Sequence, residues 1–346
     1  MRSTALAALL ALALVLPAAA QDVASLGPAP RDAEGRFVNS IGPISHADFG
    51  VRFPFFLRRM AGQFRERPGA PMRVPNDGAF LRENAVHSKP TVTWIGHATL
   101  LVQMDHVTFL TDPIWSDTPS PLPFGPRRFV EPGVALDALP RIDFVLISHN
   151  HYDHLDLPTL TALAARDAAT RFFVPLGNAA LLRENGIENI EELDWGTSRV
   201  HEAVQITCTP AQHWSRRSYD DERATLWSSW AVTGPTRRFY FAGDTGYFAG
   251  FGAIARALGP FDLAAVPIGA YEPAAMMKAS HLNPEEAVQA ALDLDARAAL
   301  GIHYATFDLS DEPLDEPPRR FRAAAARSEL GESGAWVLSV GEVREF

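Results

Sequence analysis

The segment Ser148-His149-Asn150-His151-Tyr152-Asp153-His154 follows directly on the apolar run Ile142–Ser148 and constrains the chain more than any other stretch. Four metal-ligating side chains lie within six positions, His149 to His154. In an extended backbone, residues two apart project to one side, so His149 and His151 can reach one ion. Asp153 and His154 follow as the chain turns toward a helix, and they can face a second ion. Imidazole with carboxylate suits zinc first, with manganese or iron as alternatives. Packing is a poor explanation, because burying such groups without partners is costly.

The remaining composition narrows the setting. The 346 residues are 47% hydrophobic and 21% charged, enough apolar side chain for a real core. Asp plus Glu (41) exceeds Lys plus Arg (31), a net charge of -10 that disfavours nucleic acid as a partner. The single cysteine, Cys208, excludes an intrachain disulfide and a cysteine-built zinc finger, and is read as buried and inert. At the start, Arg2 precedes 12 apolar residues, Ala5 to Leu16, then Pro17 and Ala18-Ala19-Ala20. That layout predicts a cleaved signal over residues 1–20, hence an exported, periplasmic or secreted protein. The run is short for a membrane span.

Residues 21–90 read as an N-terminal arm with a short helix or two, and 91–346 as one catalytic domain. Short β-type runs at Thr91–Trp94, Thr99–Gln103 and Val107–Thr111 suggest a meander. Further strands are expected at Phe172–Pro175, Val204–Thr209, Leu226–Val232, Arg238–Ala242, Leu263–Ile268, Ala298–His303 and Trp336–Val340. Helical spacing marks Leu157–Ala169, Asn178–Glu184, Tyr247–Leu258, Pro284–Leu294 and Pro318–Leu330. Strands followed by mixed β/α, twice over, suit an α/β, four-layer αββα sandwich of two mixed sheets.

The histidine segment resembles the H-x-H-x-D-H motif of the metallo-β-lactamase superfamily. That resemblance implies three further ligands at strand ends. His213, in Pro210-Ala211-Gln212-His213-Trp214, would complete the first metal, and His303, in Gly301-Ile302-His303-Tyr304, the second. Asp244, in Gly243-Asp244-Thr245, would bridge the two. Taken alone, Gly-Asp-Thr after a strand is also an ordinary turn. Trp94-Ile95-Gly96-His97-Ala98-Thr99, Thr111-Asp112-Pro113, Gly125-Pro126-Arg127-Arg128-Phe129 and Met277-Lys278-Ala279-Ser280-His281-Leu282-Asn283-Pro284 are similar to the N-acylphosphatidylethanolamine-hydrolysing phospholipase D branch. The similarity runs from about Phe37 to Phe307. The signal peptide and the polar stretch Ser215–Asp221 depart from it.

The branch implies a dinuclear zinc site that cleaves a phospholipid phosphodiester. Two ions about 3.5–4 Å apart can share a hydroxide, so no serine or cysteine nucleophile is needed. Asp153 and His281 are the catalytic candidates, His281 because its family counterpart approaches the phosphate. His281, Lys278 and Tyr152 are substrate-contact candidates. Asp112 would orient a ligating imidazole or cap the turn before Pro113, with His97 in the same outer layer. His46, His87, His106 and His201 are read as structural or surface residues. Asp48 to Met60 sets four Phe beside three Arg, and the lipid resemblance makes Phe53, Phe55 and Phe56 membrane-facing candidates. The alternatives are a lactone, sugar-phosphate or β-lactam hydrolase on the same fold, or a membrane-associated binding protein with a structural metal. The sequence leaves the oligomeric state open.

Overall fold

The computed structural model describes residues 23–44, 47–62, 69, 71–122 and 125–346. The expected signal over residues 1–20 and His46 lie outside the described residues. A helix α1 (Phe49–Gly62) and a helix α2 (Ala79–His87) precede the first sheet. That sheet holds β1 (Thr91–Gly96), β2 (Thr99–Met104), β3 (Val107–Thr111), β4 (Phe144–Leu146), β5 (Arg171–Pro175) and β6 (Ile190–Leu193). The second holds β7 (Thr197–His201), β8 (Val204–Thr209), β9 (Ser229–Thr233), β10 (Arg238–Phe241), β11 (Leu263–Pro267), β12 (Ala299–Ile302) and β13 (Ala335–Trp336). The last strand, β14 (Val343–Glu345), returns to pair antiparallel with β1. The orders are β14-β1-β2-β3-β4-β5-β6 and β13-β12-β11-β10-β9-β8-β7. In each, an antiparallel meander becomes parallel, at β3–β4 and at β10–β11.

Period-two alternation builds the layers. Phe144 and Leu146 of β4 join the core shared with the second sheet, with Trp94, Val102 and Phe109 from its neighbours. Val145, between them, faces a separate outer cluster. There it meets Leu160 and Leu163 of α3 (Leu157–Arg166) and Leu182 of α4 (Ala179–Glu184). On the far side, α5 (Gly250–Leu258), α7 (Pro284–Asp293) and α8 (Glu316–Ala325) bury Ile254, Ala291 and Phe321. Helices therefore cover both sheets, and the αββα sandwich expected from the pattern is the fold. A short α6 (Ala274–Met277) precedes α7, and α9 (Gly331–Gly334) precedes β13.

Several boundaries differ from expectation for traceable reasons. The expected strand Leu226–Val232 starts only at Ser229. Leu226 N donates to Leu176 O and Ser228 N to Ser148 O, so these residues bond to loops of the opposite sheet. The expected terminal strand Trp336–Val340 shrinks to two residues, because Val340 pairs with the arm through Val340 N to Met72 O and Val74 N to Val340 O.

The segment before β1 is built into the sandwich. Val23, Leu26, Ala29 and Phe37 belong to the inter-sheet core. Gly27 sits so tightly that an added Cβ would lie 1.7 Å from the Trp195 carbonyl oxygen. By contrast α1 exposes Phe49, Phe53, Phe56 and Leu57. Truncating Phe37 to Ala should therefore cost about 3–5 kcal/mol. Phe53→Ala should stay within about 0.5 kcal/mol of the parent. Urea midpoints at constant m-value would measure both. An arm merely draped on the surface would give two small values.

Candidate metal centre

One edge of the sandwich collects the loops that leave β3, β4, β8, β10 and β12. They carry Asp112, the His149–His154 segment, His213, Asp244 and His303. All of these loops follow the C-terminal ends of their strands, which is how residues far apart in sequence converge.

The hydrogen bonds decide which nitrogen of His154, His149 and His213 is left free. Asp112, fully buried, is the hub. Its Oδ1 accepts from Ser148 N at 2.7 Å, and its Oδ2 accepts from Ser148 Oγ at 2.5 Å and His154 Nδ1 at 2.6 Å. His154 therefore spends its Nδ1–H on the carboxylate and turns the lone pair of Nε2 inward. The Ser148 hydroxyl, already donating, can only accept from His149 Nδ1 at 2.9 Å, which frees His149 Nε2. His213 Nδ1 donates to Ser280 O at 2.9 Å, which frees His213 Nε2. His149 Nε2 and His213 Nε2 lie 2.7 and 3.3 Å from His151 Nδ1. Two lone-pair nitrogens converging on a third imidazole nitrogen match the requirement of a cation.

A second group adjoins the first. Asp153 Oδ2 lies 3.3 Å from His154 Nε2 and 3.4 Å from His303 Nε2. It also accepts from His97 Nε2 at 2.9 Å. Asp244 stands between the groups, Oδ2 at 3.2 Å from His154 Nε2 and 3.8 Å from His213 Nε2, and Oδ1 at 3.1 Å from His303 Nε2. Among the described residues, His154 Nε2, His303 Nε2 and Asp244 Oδ1 are buried with no hydrogen-bond partner. Orphaned donors of this kind, two imidazole-rich clusters joined by a carboxylate, fit divalent metal.

The electrostatics separate the two groups. Against burial, Asp244, Asp153 and Asp112 raise His154 well above its ordinary pKa, and Asp244 with Asp153 raises His303 to about 9. These two imidazoles gather positive charge against the carboxylates, whereas the first group stays neutral. Burial, reinforced by neighbouring imidazoles, keeps His149 well below its ordinary pKa. His151 is pushed down to about 4 by burial. Both stay neutral, as ligands must. Burial opposes charge on Asp244 too, yet His303, His154 and His281 hold its carboxyl well below the usual carboxylate range. His97, lowered to about 3 by burial and by His303, is a neutral donor to Asp153.

The other sequence candidates have definite places. His281 puts Nδ1 3.8 Å from Asp244 Oδ2. It lines a groove of about 190 Å³ with Ile44, Arg52, Trp214, Arg216 and Met277. Tyr152 lines a neighbouring cavity of about 630 Å³. Its hydroxyl donates to Arg217 O at 2.9 Å, and its ring lies 3.9 Å beneath the Arg217 guanidinium. Lys278 is exposed and lies 3.8 Å from Glu286, outside the groove. Glu286 itself closes the Asn283 capping box of α7. His87 is exposed near Glu83 at 3.8 Å, and His201 packs edge-on to Phe144 and Phe173. Cys208 is buried, and burial raises its thiol above the ordinary range.

Sequence reasoning missed the residues that hold the ligand loops. Arg217 donates through Nη1 to Asn150 O at 2.9 Å and Leu155 O at 2.8 Å, clasping the ligand segment at both ends. Thr306 Oγ1 accepts from His97 N at 2.7 Å. Asn39 pairs with the backbone of His213. No local spacing announces such contacts. Asp112→Asn keeps the shape of the hub but sets an amide against the Ser148 and His154 donors. It should weaken metal affinity by about 10- to 100-fold. Competition against a chromophoric chelator measures this, and an unchanged affinity would remove Asp112 from the centre.

The family described as the beta-lactamase superfamily domain matches residues 107–304. The chain is 41% identical over 266 residues to N-acyl-phosphatidylethanolamine-hydrolyzing phospholipase D 1 of Caenorhabditis elegans, covering 73% of this chain and 75% of the relative. It is 30% identical over 258 residues to a UPF0173 metal-dependent hydrolase of Methanopyrus kandleri, covering 73% of this chain and 99% of the relative. In structure it resembles Igni18, a metallo hydrolase from Ignicoccus hospitalis, with a TM-score of 0.57 at 22% identity over 75% of this chain and 98% of that one.

Proposed function

The chain belongs to the beta-lactamase superfamily and is a hydrolase of that fold, and from this premise we propose that it cleaves the phosphodiester of a phospholipid such as N-acylphosphatidylethanolamine. Water adds to phosphorus and the bond to the ethanolamine oxygen breaks. The products are a phosphatidic acid and an N-acylethanolamine. The observation that carries the reading is the groove at His281. Its His281 ring lies 5.2 Å from the ring of His213 and 5.7 Å from that of His303. Its walls join apolar Ile44 and Met277 to the cations Arg52 and Arg216, with Glu222 beside Arg216. An amphiphile with an anionic phosphate needs both kinds of wall. The likeness to a phospholipase D relative over most of the chain supports the same substrate class.

In this reading His149, His151 and His213 would hold one divalent ion and Asp153, His154 and His303 a second, with Asp244 placed against both groups. Zinc suits the donor set. When bound, the ions supply Lewis acidity to the phosphoryl oxygens and acidity to the attacking water. The chain's own groups do the rest. Asp153, kept ionised against burial chiefly by His154 and His303 and oriented by His97, can receive the proton of the attacking water. His281, lowered to about 4 by burial, is neutral at pH 7 and can donate its N–H to a phosphoryl or leaving oxygen in the groove. Arg52, exposed on α1, offers a charge at the rim, whereas Arg58 and Arg59 are committed to Asp311 and Asp308.

Asp244→Asn should lower phospholipid turnover by about 100-fold or more, since the carboxylate touches both groups. A panel of N-acylphosphatidylethanolamine, ordinary phospholipids, a nitrophenyl diester, a lactone and a cephalosporin, run with metal analysis, tests the substrate. Turnover of the lactone or cephalosporin alone, or full activity after chelation, would sink the proposal.

The exposed face of α1 supports peripheral membrane contact in an exported protein. Phe49 and Phe53 stack at 5.1 Å, and Phe49, Phe53, Phe56 and Leu57 are 46–75% exposed, whereas Phe55 is half-buried beside Arg59. Such rings suit the headgroup level of a bilayer. Replacing Phe53, Phe55 and Phe56 together by Ser should weaken vesicle binding and lipid turnover while sparing the soluble diester. Equal losses on both substrates would make the face structural.

A further inference from the structure

We infer that Asn39, a residue of the N-terminal segment that precedes the matched superfamily domain of residues 107–304, is a positioning residue for the ligand His213. The inference rests on the metal reading above. Asn39 is buried and lies 174 positions from His213. Its Nδ2 donates to His213 O at 2.8 Å, and its Oδ1 accepts from His213 N at 3.0 Å. Only a side-chain amide offers a donor and an acceptor in this geometry, so Asn39 acts as a one-residue strand partner for the ligand's backbone. Trp227 Nε1, donating to Asn39 Oδ1 at 2.9 Å and Ala211 O at 3.0 Å, fixes the amide in turn. With Ser280 O on Nδ1, the His213 backbone and ring are both held, and together they set the direction of Nε2.

The rest of the segment supports the same loop. Phe37 N donates to Arg223 O at 3.0 Å, and Arg223 reaches Asp32 at 2.9 Å. Arg36 donates to Glu222 O and, at 3.0 Å, to Asp220 O. The stretch from His213 to Arg223, which also carries the groove residues Trp214 and Arg216, is thus stapled at both ends by residues 32–39. Such a staple sets ligand geometry without touching metal or substrate.

Asn39→Asp keeps size and acceptor but sets a carboxylate oxygen against the His213 carbonyl. Full-length protein, stripped and reloaded with Co²⁺ at pH 8, provides the readout. The visible bands report coordination, and transfer to EDTA reports release. Relative to the parent, Asn39→Asp should shift the bands and release one cobalt about 10- to 100-fold faster. Trp227→Phe keeps an aromatic ring in the core and removes the bond that orients the amide. It should act in the same direction with smaller size, and it decides the matter if Asn39→Asp does not fold. Ile254→Ala, a core truncation in α5, should lower the melting temperature and leave bands and release unchanged. Parental bands and release in Asn39→Asp, or in Trp227→Phe if Asn39→Asp is unfolded, would overturn the inference alone, as would equal changes in Ile254→Ala. A parent that takes up no cobalt would overturn the metal reading together with it.

Discussion

The Asp112 carboxylate is the contact on which the centre depends. It gathers the Ser148 amide, the Ser148 hydroxyl and His154 Nδ1 in a site without water access. An imidazole presents a lone pair only after its other nitrogen has been given away. Asp112 settles this directly for His154 and, through the serine hydroxyl, for His149. One carboxylate therefore fixes a ligand atom in each of the two groups. An isolated buried charge would be expensive, and three strong donors offset that cost.

Convergence at this edge imposes unusual backbone. Among non-glycine residues, His97, Asp112 and His303 all have positive φ, of 53°, 34° and 59°. Left-handed conformations at such residues cost on the order of 1–3 kcal/mol each and persist only where the surroundings enforce them. The bonds that enforce them are visible. His97 O accepts from both Trp94 Nε1 and His303 N, so the β1–β2 turn and the end of β12 hold one another. At Gly243, with φ 58°, an added Cβ would sit 2.5 Å from the Ser148 Cβ. The glycine before Asp244 is there because two ligand-bearing loops pass too closely for a side chain.

How much of this was legible in the sequence follows from distance along the chain. His149, His151, Asp153 and His154 announce themselves because a strand end spaces them locally. A continuous apolar run does not tell the inward from the outward face, but the stretches that become β4 and β5 were readable as such short runs, Ile142–Ser148 and Phe172–Pro175. Strands β6 and β7 were not, because Ile190-Glu191-Glu192-Leu193 and Thr197-Ser198-Arg199-Val200-His201 carry the charges of sheet edges and show no apolar run. Asn39 and Arg217 escaped because their partners lie on remote loops, and a buried amide or guanidinium looks in sequence like any surface polar residue. Tyr152 and Lys278 show the converse. Motif identity placed them near the chemistry, but direction is set by partners, the Arg217 carbonyl for one and Glu286 for the other.

Charge poses the last constraint. A chain with a net charge of -10 repels anions from a distance. Screening limits that repulsion to about 8–10 Å at physiological salt, so the groups within reach of the groove decide its local sign. Arg52 and Arg216 line it together with one acid, Glu222, which lies 3.7 Å from Arg216 and leaves the lining with a net positive charge. The carboxylates of Asp153 and Asp244 face the imidazoles of His154 and His303, where compensating positive charge is demanded by the site itself. An anionic group entering past His281 meets arginine first and a cation-demanding cluster second. The acidity of the whole molecule and the binding of an anion at this one edge are therefore compatible, because they act over different distances.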